Sequence, residues 1–344
     1  MRLAALVGGA LAVAMLTTAA AVSAKSSKPA TINYKVGLVT DIGGLNDHGF
    51  NHLAYVGLLR AEKLLGIQGK VVTSTDGTQY VPNLSSLAKG GYNLVIGVGF
   101  LQEQAIQQVA AAYPNTKFAG VDMNAPGDFK GGITKNFEGL VFKEEQVGYE
   151  VGYLAGLEAK REGKNTVSSV GGIAVPAVVR YIAGFQAGAK AADPGITTLN
   201  GYSNDFVAQD KCKNVALSQI AQGSVVVFQV AGGCGLGALD AAKEKGVWGI
   251  GVDADQAYIG PQVLTSAQKK VDRAVYVAIL DQVKRNVFAG GTNLVFNAKN
   301  GGVGLGKVSA KVPAAELAKV RAIAGKVASG KIVPPTQCSP KPTC

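Results

Sequence analysis

Short apolar runs recur along the chain, each followed by a stretch with helical spacing. The runs at 36–40, 71–74, 94–98, 118–121, 167–170, 196–200, 225–230 and 248–252 are mostly β-branched and do not alternate with polar residues. Such runs read as strands buried on both faces, as in a parallel sheet. Helical stretches follow at 50–65, 102–112, 144–159, 177–191, 215–221, 238–245, 274–288 and 314–328. The clearest puts Phe50, Ala54, Gly57, Leu58, Ala61 and Leu65 on one stripe, with Gly66 as its stop. Strand–helix alternation predicts doubly wound parallel sheets. There are too many strands for one compact sheet. Two α/β domains are expected, with the chain crossing between them more than once.

Composition narrows this picture. Of 344 residues, 47% are hydrophobic, 17% are charged and 46 are glycine. That charged fraction is well below the ~25% of an average globular protein, which excludes a disordered chain. Four cysteines in this length exclude a disulfide-built miniprotein. The glycine excess suits many tight strand-to-helix turns.

The N-terminus reads as an export signal over 1–24. Arg2 precedes an apolar run at 3–16, and Val22-Ser23-Ala24 suits signal peptidase. The run falls short of the roughly 20 residues that span a bilayer. No cysteine lies near the cleavage point, so an exported protein without an N-terminal lipid anchor is expected, periplasmic or released. Export makes disulfides the natural state of Cys212, Cys234, Cys338 and Cys344. No CxxC is present, and the two histidines, His48 and His52, lie far from the cysteines in sequence. That spacing does not suit a zinc site, so no metal or other cofactor is expected. Cys338 and Cys344 would close a loop in the tail, 335–344, leaving Cys212 with Cys234. Other pairings stay open.

Ligands of open α/β sheets bind beyond the C-terminal strand ends. The first strand runs into Asp41, two glycines, Asn46-Asp47 and Phe50-Asn51. There, polar groups face a crevice, and Asn46 or Asp47 can cap the next helix. Later strand ends carry Gly99, Asp122, Phe206, Gly233 and Asp253, with Lys269 shortly after. Singly, each has a plain structural role available: a cap, a turn, a core contact or a solvated lysine. Their joint placement at successive strand ends points to one binding site.

These residues carry a family resemblance. Lys35-Val36-Gly37-Leu38-Val39-Thr40-Asp41, Asn46-Asp47 and Gly49-Phe50-Asn51 resemble the opening of the basic membrane protein family, substrate-binding proteins of ABC-type nucleoside importers. Further matches include Gly97-Val98-Gly99-Phe100, Gly184-Phe185-Gln186-Ala187-Gly188 and Gly249-Ile250-Gly251-Val252-Asp253-Ala254-Asp255-Gln256. The resemblance spans roughly 33–334. It implies a type I periplasmic-binding-protein fold, with two doubly wound lobes joined by a three-segment hinge. Lobe one is placed at 31–140 and 254–288, lobe two at 141–253 and 289–334. The resemblance implies a monomeric receptor that binds a purine nucleoside and presents it to a membrane permease. Phe50 and Phe206 match the aromatics that sandwich the base. Asp253 and Lys269 match the residues that hold the ribose hydroxyls, and Asp41, Asn51 and Asp122 match other ligand-facing positions. Stacking suits a base, and a carboxylate suits a diol. Glycine at Gly99 and Gly233 lets backbone approach the ligand.

Two other readings compete. A receptor for a sugar or ribose-like signal would keep the diol contacts. A dinucleotide-binding enzyme is suggested by Gly233-Cys234-Gly235-Leu236-Gly237-Ala238, with an acid about 20 residues on. No Ser-His-Asp or Cys-His set supports catalysis, and no enzyme activity is expected. The formal charge of +11 invites a nucleic-acid reading. The basic residues form no dense run, however, so no nucleic-acid partner is expected, and attraction to an anionic surface is the milder meaning.

Overall fold

A computed structural model of the protein describes Met1 and residues 31–129 and 135–338. The chain first builds β1 (Lys35–Val39), α1 (Phe50–Leu65), β2 (Gln68–Val72), α2 (Tyr80–Lys89), β3 (Leu94–Val98), α3 (Glu103–Ala112), β4 (Lys117–Val121), the short α4 (Ala125–Asp128) and β5 (Phe137–Phe142). It crosses at Lys143 into α5 (Glu144–Arg161), β6 (Thr166–Gly171), α6 (Pro176–Ala192), β7 (Thr197–Tyr202), α7 (Gln209–Ala221), β8 (Val226–Val230), α8 (Gly235–Lys245), β9 (Trp248–Asp253) and β10 (Val263–Lys269). A second crossing at Lys270 leads to α9 (Val271–Leu280), a π-helical turn at Asp281–Arg285 and β11 (Asn293–Phe296). A third, through 297–302, reaches β12 (Val303–Leu305) and α10 (Ala314–Ala328).

Two six-stranded sheets result, in the orders β11-β5-β4-β3-β1-β2 and β12-β10-β9-β8-β6-β7. Among the described residues, every pairing is parallel except that of β12 with β10. The three crossings lie together. Lys143 N donates to Phe296 O and Lys270 N to Gly302 O, both at 2.9 Å. These crossings form the hinge of a two-lobed, type I periplasmic-binding-protein fold.

All eight expected strands are present. The lobe boundaries differ from expectation in the C-terminal third. Of the segment 254–288, α9 packs on α1 of lobe one, but β10 belongs to the second sheet. Of the segment 289–334, β11 belongs to the first sheet. Hydrophobic patterning does not say which sheet a segment joins: β10 lies between β12 and β9 in the second sheet, and β11 forms an edge of the first. The expected helix at 274–288 is also shorter. It stops as an α-helix at Leu280, passes through the π turn and ends where Asn286 takes φ 53°.

Helix α1 shows how local sequence sets the crevice edge. Asp47 caps it: Oδ2 accepts from Asn51 N at 2.7 Å, and Oδ1 accepts from His52 N and Gly49 N at 3.1 Å. Gly66 closes it in the left-handed conformation, φ 73°. Cys212 in α7 and Cys234 just before α8 are bridged, with Cα atoms 5.6 Å apart. Cys344, and with it the expected Cys338–Cys344 bridge, and residues 2–24 of the expected signal segment lie outside the described residues. Among the described residues, no helix is long and apolar enough to cross a membrane.

Candidate functional site

The C-terminal strand ends of both sheets open onto one crevice between the lobes, lined by Asp41, Phe50, Asn51, Gly99, Asp122, Phe206, Gly233, Asp253 and Lys269. Nine of the ten expected site residues are therefore brought together. Asn46 is not. It is exposed on the turn Gly44–Asn46, because the capping of α1 turns its neighbour Asp47 inward instead. The lobes nearly touch at the rim. A Cβ placed on Gly233 would lie 3.8 Å from Asp47 Cα, and one on Gly49 would lie 3.7 Å from Asp253 Cβ.

Lobe one contributes Phe50 from the first turn of α1. Its neighbour Asn51 accepts from Asp41 N at 2.9 Å and so ties the loop after β1 to the helix. Lobe two contributes Phe206 from the loop after β7. The Phe206 ring lies against Gly172, where any added Cβ would collide with it. The Phe206 carbonyl accepts from Cys234 N at 3.0 Å, so the disulfide holds the segment that carries this ring.

The charged part of the site centres on Lys269, whose side chain is 2% exposed. Its Nζ lies 2.6 Å from Asp122 Oδ1 and 2.9 Å from Glu144 Oε1. It also stands 5.2 Å from the centre of the Phe50 ring. Arg180 approaches Glu144 at 3.5 Å. The Tyr181 hydroxyl donates to Asp253 Oδ1 at 3.3 Å. Asp122 and Asp253 hold φ values of 66° and 61°. Such backbone is uncommon for a non-glycine residue, although aspartate tolerates it better than most, and it clusters at ligand sites.

Burial raises the acids. The carboxyls of Asp41 and Asp122 are pushed up to about 6, and that of Asp253 to about 7, in each case chiefly by desolvation. Lys269 partly offsets this for Asp122 and Asp253. Burial works against the Lys269 charge, but Asp122, Glu144 and Asp253 together outweigh it and raise its pKa.

Sequence reading missed Glu144, Tyr181 and Tyr80. They lie at the start of α5, within α6 and at the start of α2, so a search of strand ends cannot reach them. The enzyme motif finds no support here. An added Cβ on Gly235 would strike the Gln229 side chain, and one on Gly237 the Gln209 carbonyl. These glycines are packed against protein, not opened toward a pyrophosphate.

Residues 34–337 match the family model described as ABC transporter substrate-binding protein PnrA-like. The CD4+ T-cell-stimulating antigen of Listeria monocytogenes is 33% identical over 90% of this chain and 89% of its own length. An ABC transporter nucleoside-binding protein of Lactococcus lactis is 34% identical over 79% of this chain and 81% of its own. An ABC transporter solute-binding protein of Aeropyrum pernix superposes with a TM-score of 0.78 at 25% identity, covering 88% of this chain and 94% of that one. One expectation is corrected by the relatives. The chain was expected to have no lipid anchor, on the ground that no cysteine lies near residue 24. An uncharacterized lipoprotein of Pyrococcus furiosus, 31% identical over 78% of this chain and 69% of its own, shows lipoproteins among its kin and overturns that expectation. With the match over 34–337, the two-lobed fold and the shared crevice, the chain belongs to the PnrA-like, basic membrane protein family of ABC transporter substrate-binding proteins, non-catalytic receptors that serve a membrane permease.

Proposed function

We propose that the protein binds a purine nucleoside between its lobes and delivers it to the permease. The observation that carries this reading is the pairing of Phe50 and Phe206, from opposite lobes, over one crevice that also holds Asp253 and Lys269. A flat base between the rings would be held by stacking. Lys269 has three N–H donors, and Asp122 and Glu144 take two, which leaves one for a ribose hydroxyl. Asp253 Oδ1 accepts from Tyr181, and Oδ2 remains to receive the other hydroxyl. Both walls come from one chain, so the working unit in this reading is a monomer. Five carboxylates (Asp41, Asp47, Asp122, Glu144 and Asp253) outnumber Lys269 and Arg180 here, which disfavours a phosphorylated ligand.

Calorimetry against adenosine, guanosine, inosine, adenosine monophosphate and free ribose tests the reading. Nucleosides are expected to bind tightest. Tight binding of ribose with no binding of any nucleoside would overturn it and favour the sugar-receptor alternative.

A further inference from the structure

We propose that Tyr80, outside the set of strand-end residues, is a positioning residue that holds Asp41 as an acceptor-only group and thereby selects purines that present an N–H to it. The inference rests on the nucleoside reading and deepens it. Tyr80 begins α2 and is 4% exposed. Its hydroxyl donates to Asp41 Oδ1 at 2.5 Å, and Ile42 N donates to the same oxygen at 2.7 Å. Asp41 N is itself held by Asn51. The carboxylate is therefore fixed on one oxygen and along its backbone. Oδ2 has no hydrogen-bond partner among the described residues, and it lies over Gly99, where an added Cβ would collide with it. Gly99 has φ +104° and lines the same crevice. An oxygen so placed can accept from a ligand N–H. Leaving it unpaired beside a ligand without that donor carries a desolvation cost.

The phenol also governs the charge of Asp41. Burial pushes this carboxyl up, and hydrogen bonds from Tyr80 and Ile42 pull it down, while Asp122 at the end of β4 and Asp47 in the loop after β1 push it up further. A protonated Asp41 could place a hydrogen on Oδ2 and lose its selectivity for donors. Tyr80 keeps the acceptor form populated at neutral pH. The hydroxyl itself stays protonated, because burial and Asp41 raise its pKa.

The test compares adenosine, inosine and purine riboside, the last of which has a purine ring without exocyclic amine or N1–H. Wild type is expected to bind adenosine or inosine about tenfold or more tighter than purine riboside, the size of a hydrogen bond to a charged group. Asp41→Asn should collapse that preference. Tyr80→Phe should weaken adenosine binding and move the acid limb of its affinity–pH curve to higher pH. Asp122 and Asp253 titrate in the same range, so the displacement between the two curves is the readout. Phe at 80 keeps the ring packing, and thermal melts verify that the variant is folded. A uniform loss of affinity with an unmoved pH limb would reduce Tyr80 to a packing role and overturn the proposal. So would wild-type affinity for purine riboside equal to that for adenosine, an outcome that leaves nucleoside binding intact. Failure of all three nucleosides to bind would instead overturn the nucleoside reading itself.

Discussion

Phe206 can sit where it does because residue 172 has no side chain. Gly172→Ala would place a methyl into the ring and force Phe206 toward the crevice or out of it. The backbone there needs no left-handed φ, so the substitution acts through space alone. Weaker nucleoside binding with a nearly unchanged melting temperature is expected, as read by calorimetry and thermal melts. Phe50→Ala and Phe206→Ala should each cost about 1–3 kcal/mol of binding, the range for base–aromatic stacking. Unchanged affinity in both variants would remove the rings from the site. Asp253→Ala should cost more than either, since it leaves ligand hydroxyls without their acceptor. The strained φ of Asp253 makes a second readout available. Asp253→Gly should lose affinity as the alanine variant does, yet retain more stability than it, because glycine accepts φ 61° freely.

At the scale of elements, two devices fix the second lobe. The first is the Cys212–Cys234 bridge, which spans 22 residues and joins α7 to the loop before α8. Opening a bridge of this span should lower stability by about 3 kcal/mol. Because Cys234 N holds the Phe206 carbonyl, the Cys212→Ser, Cys234→Ser double variant should also bind nucleoside less tightly. Stability loss without affinity loss would uncouple the bridge from the ring. The second device is the packing of α5 on α6. Gly148 and Gly152 face the carbonyls of Tyr181 and Phe185, and Gly188 faces that of Tyr149. At these glycines the two helices meet backbone to backbone.

These elements also show what the sequence could convey. Helix α1 was legible to the residue, because an apolar stripe ends at a glycine. Most strands were legible because parallel strands are continuously apolar. Helix α2 was not, since Pro82, Asn83, Ser85 and Ser86 read as a turn and hide the stripe of Tyr80, Leu84, Leu87 and Ala88, and Tyr80 went unseen with it. Strand β10 was not either, because Thr265, Ser266, Gln268 and Lys269 look like a loop until the neighbouring strand is known. The strand-end rule found most of the crevice. It passed over Glu144, which meets Lys269 from the start of α5, and Tyr181, which lines the crevice from α6 and donates to Asp253.

For the whole molecule, stability and binding should respond to pH with opposite signs. Asp41 and Asp122 are raised to about 6, and Asp253, Glu138 and Glu150 to about 7, all chiefly by burial. A carboxyl raised on folding holds its proton more tightly in the folded state than in the unfolded one. Its ionisation therefore removes stability as pH climbs from the ordinary carboxylate range through these raised values. The ligand-free protein should melt at a higher temperature at pH 5 than at pH 7.5. Asp205, lowered to about 2 by Lys211 and backbone donors, acts in the other direction, but only in acid below this window. Nucleoside affinity should fall over the same interval as Asp41 and Asp253 take up protons. Parallel rise or parallel fall of the two curves would contradict the assignment of Asp41 and Asp253 to the site.

The position of Lys269 has a mechanical consequence. It directly precedes the second crossing, and its partner Glu144 directly follows the first. When one rigid body rotates on another, an atom travels in proportion to its distance from the pivot. Groups beside the axis barely move, whereas rim residues such as His48 and Tyr258, whose rings now stand 6.4 Å apart, sweep the longest arcs. The ionic cluster is then a fixed fulcrum and the rim residues of the two lobes are the jaws. In the proposed nucleoside reading, an arriving molecule would meet the ribose-binding end already assembled, and closure would remain as the step that reads its base.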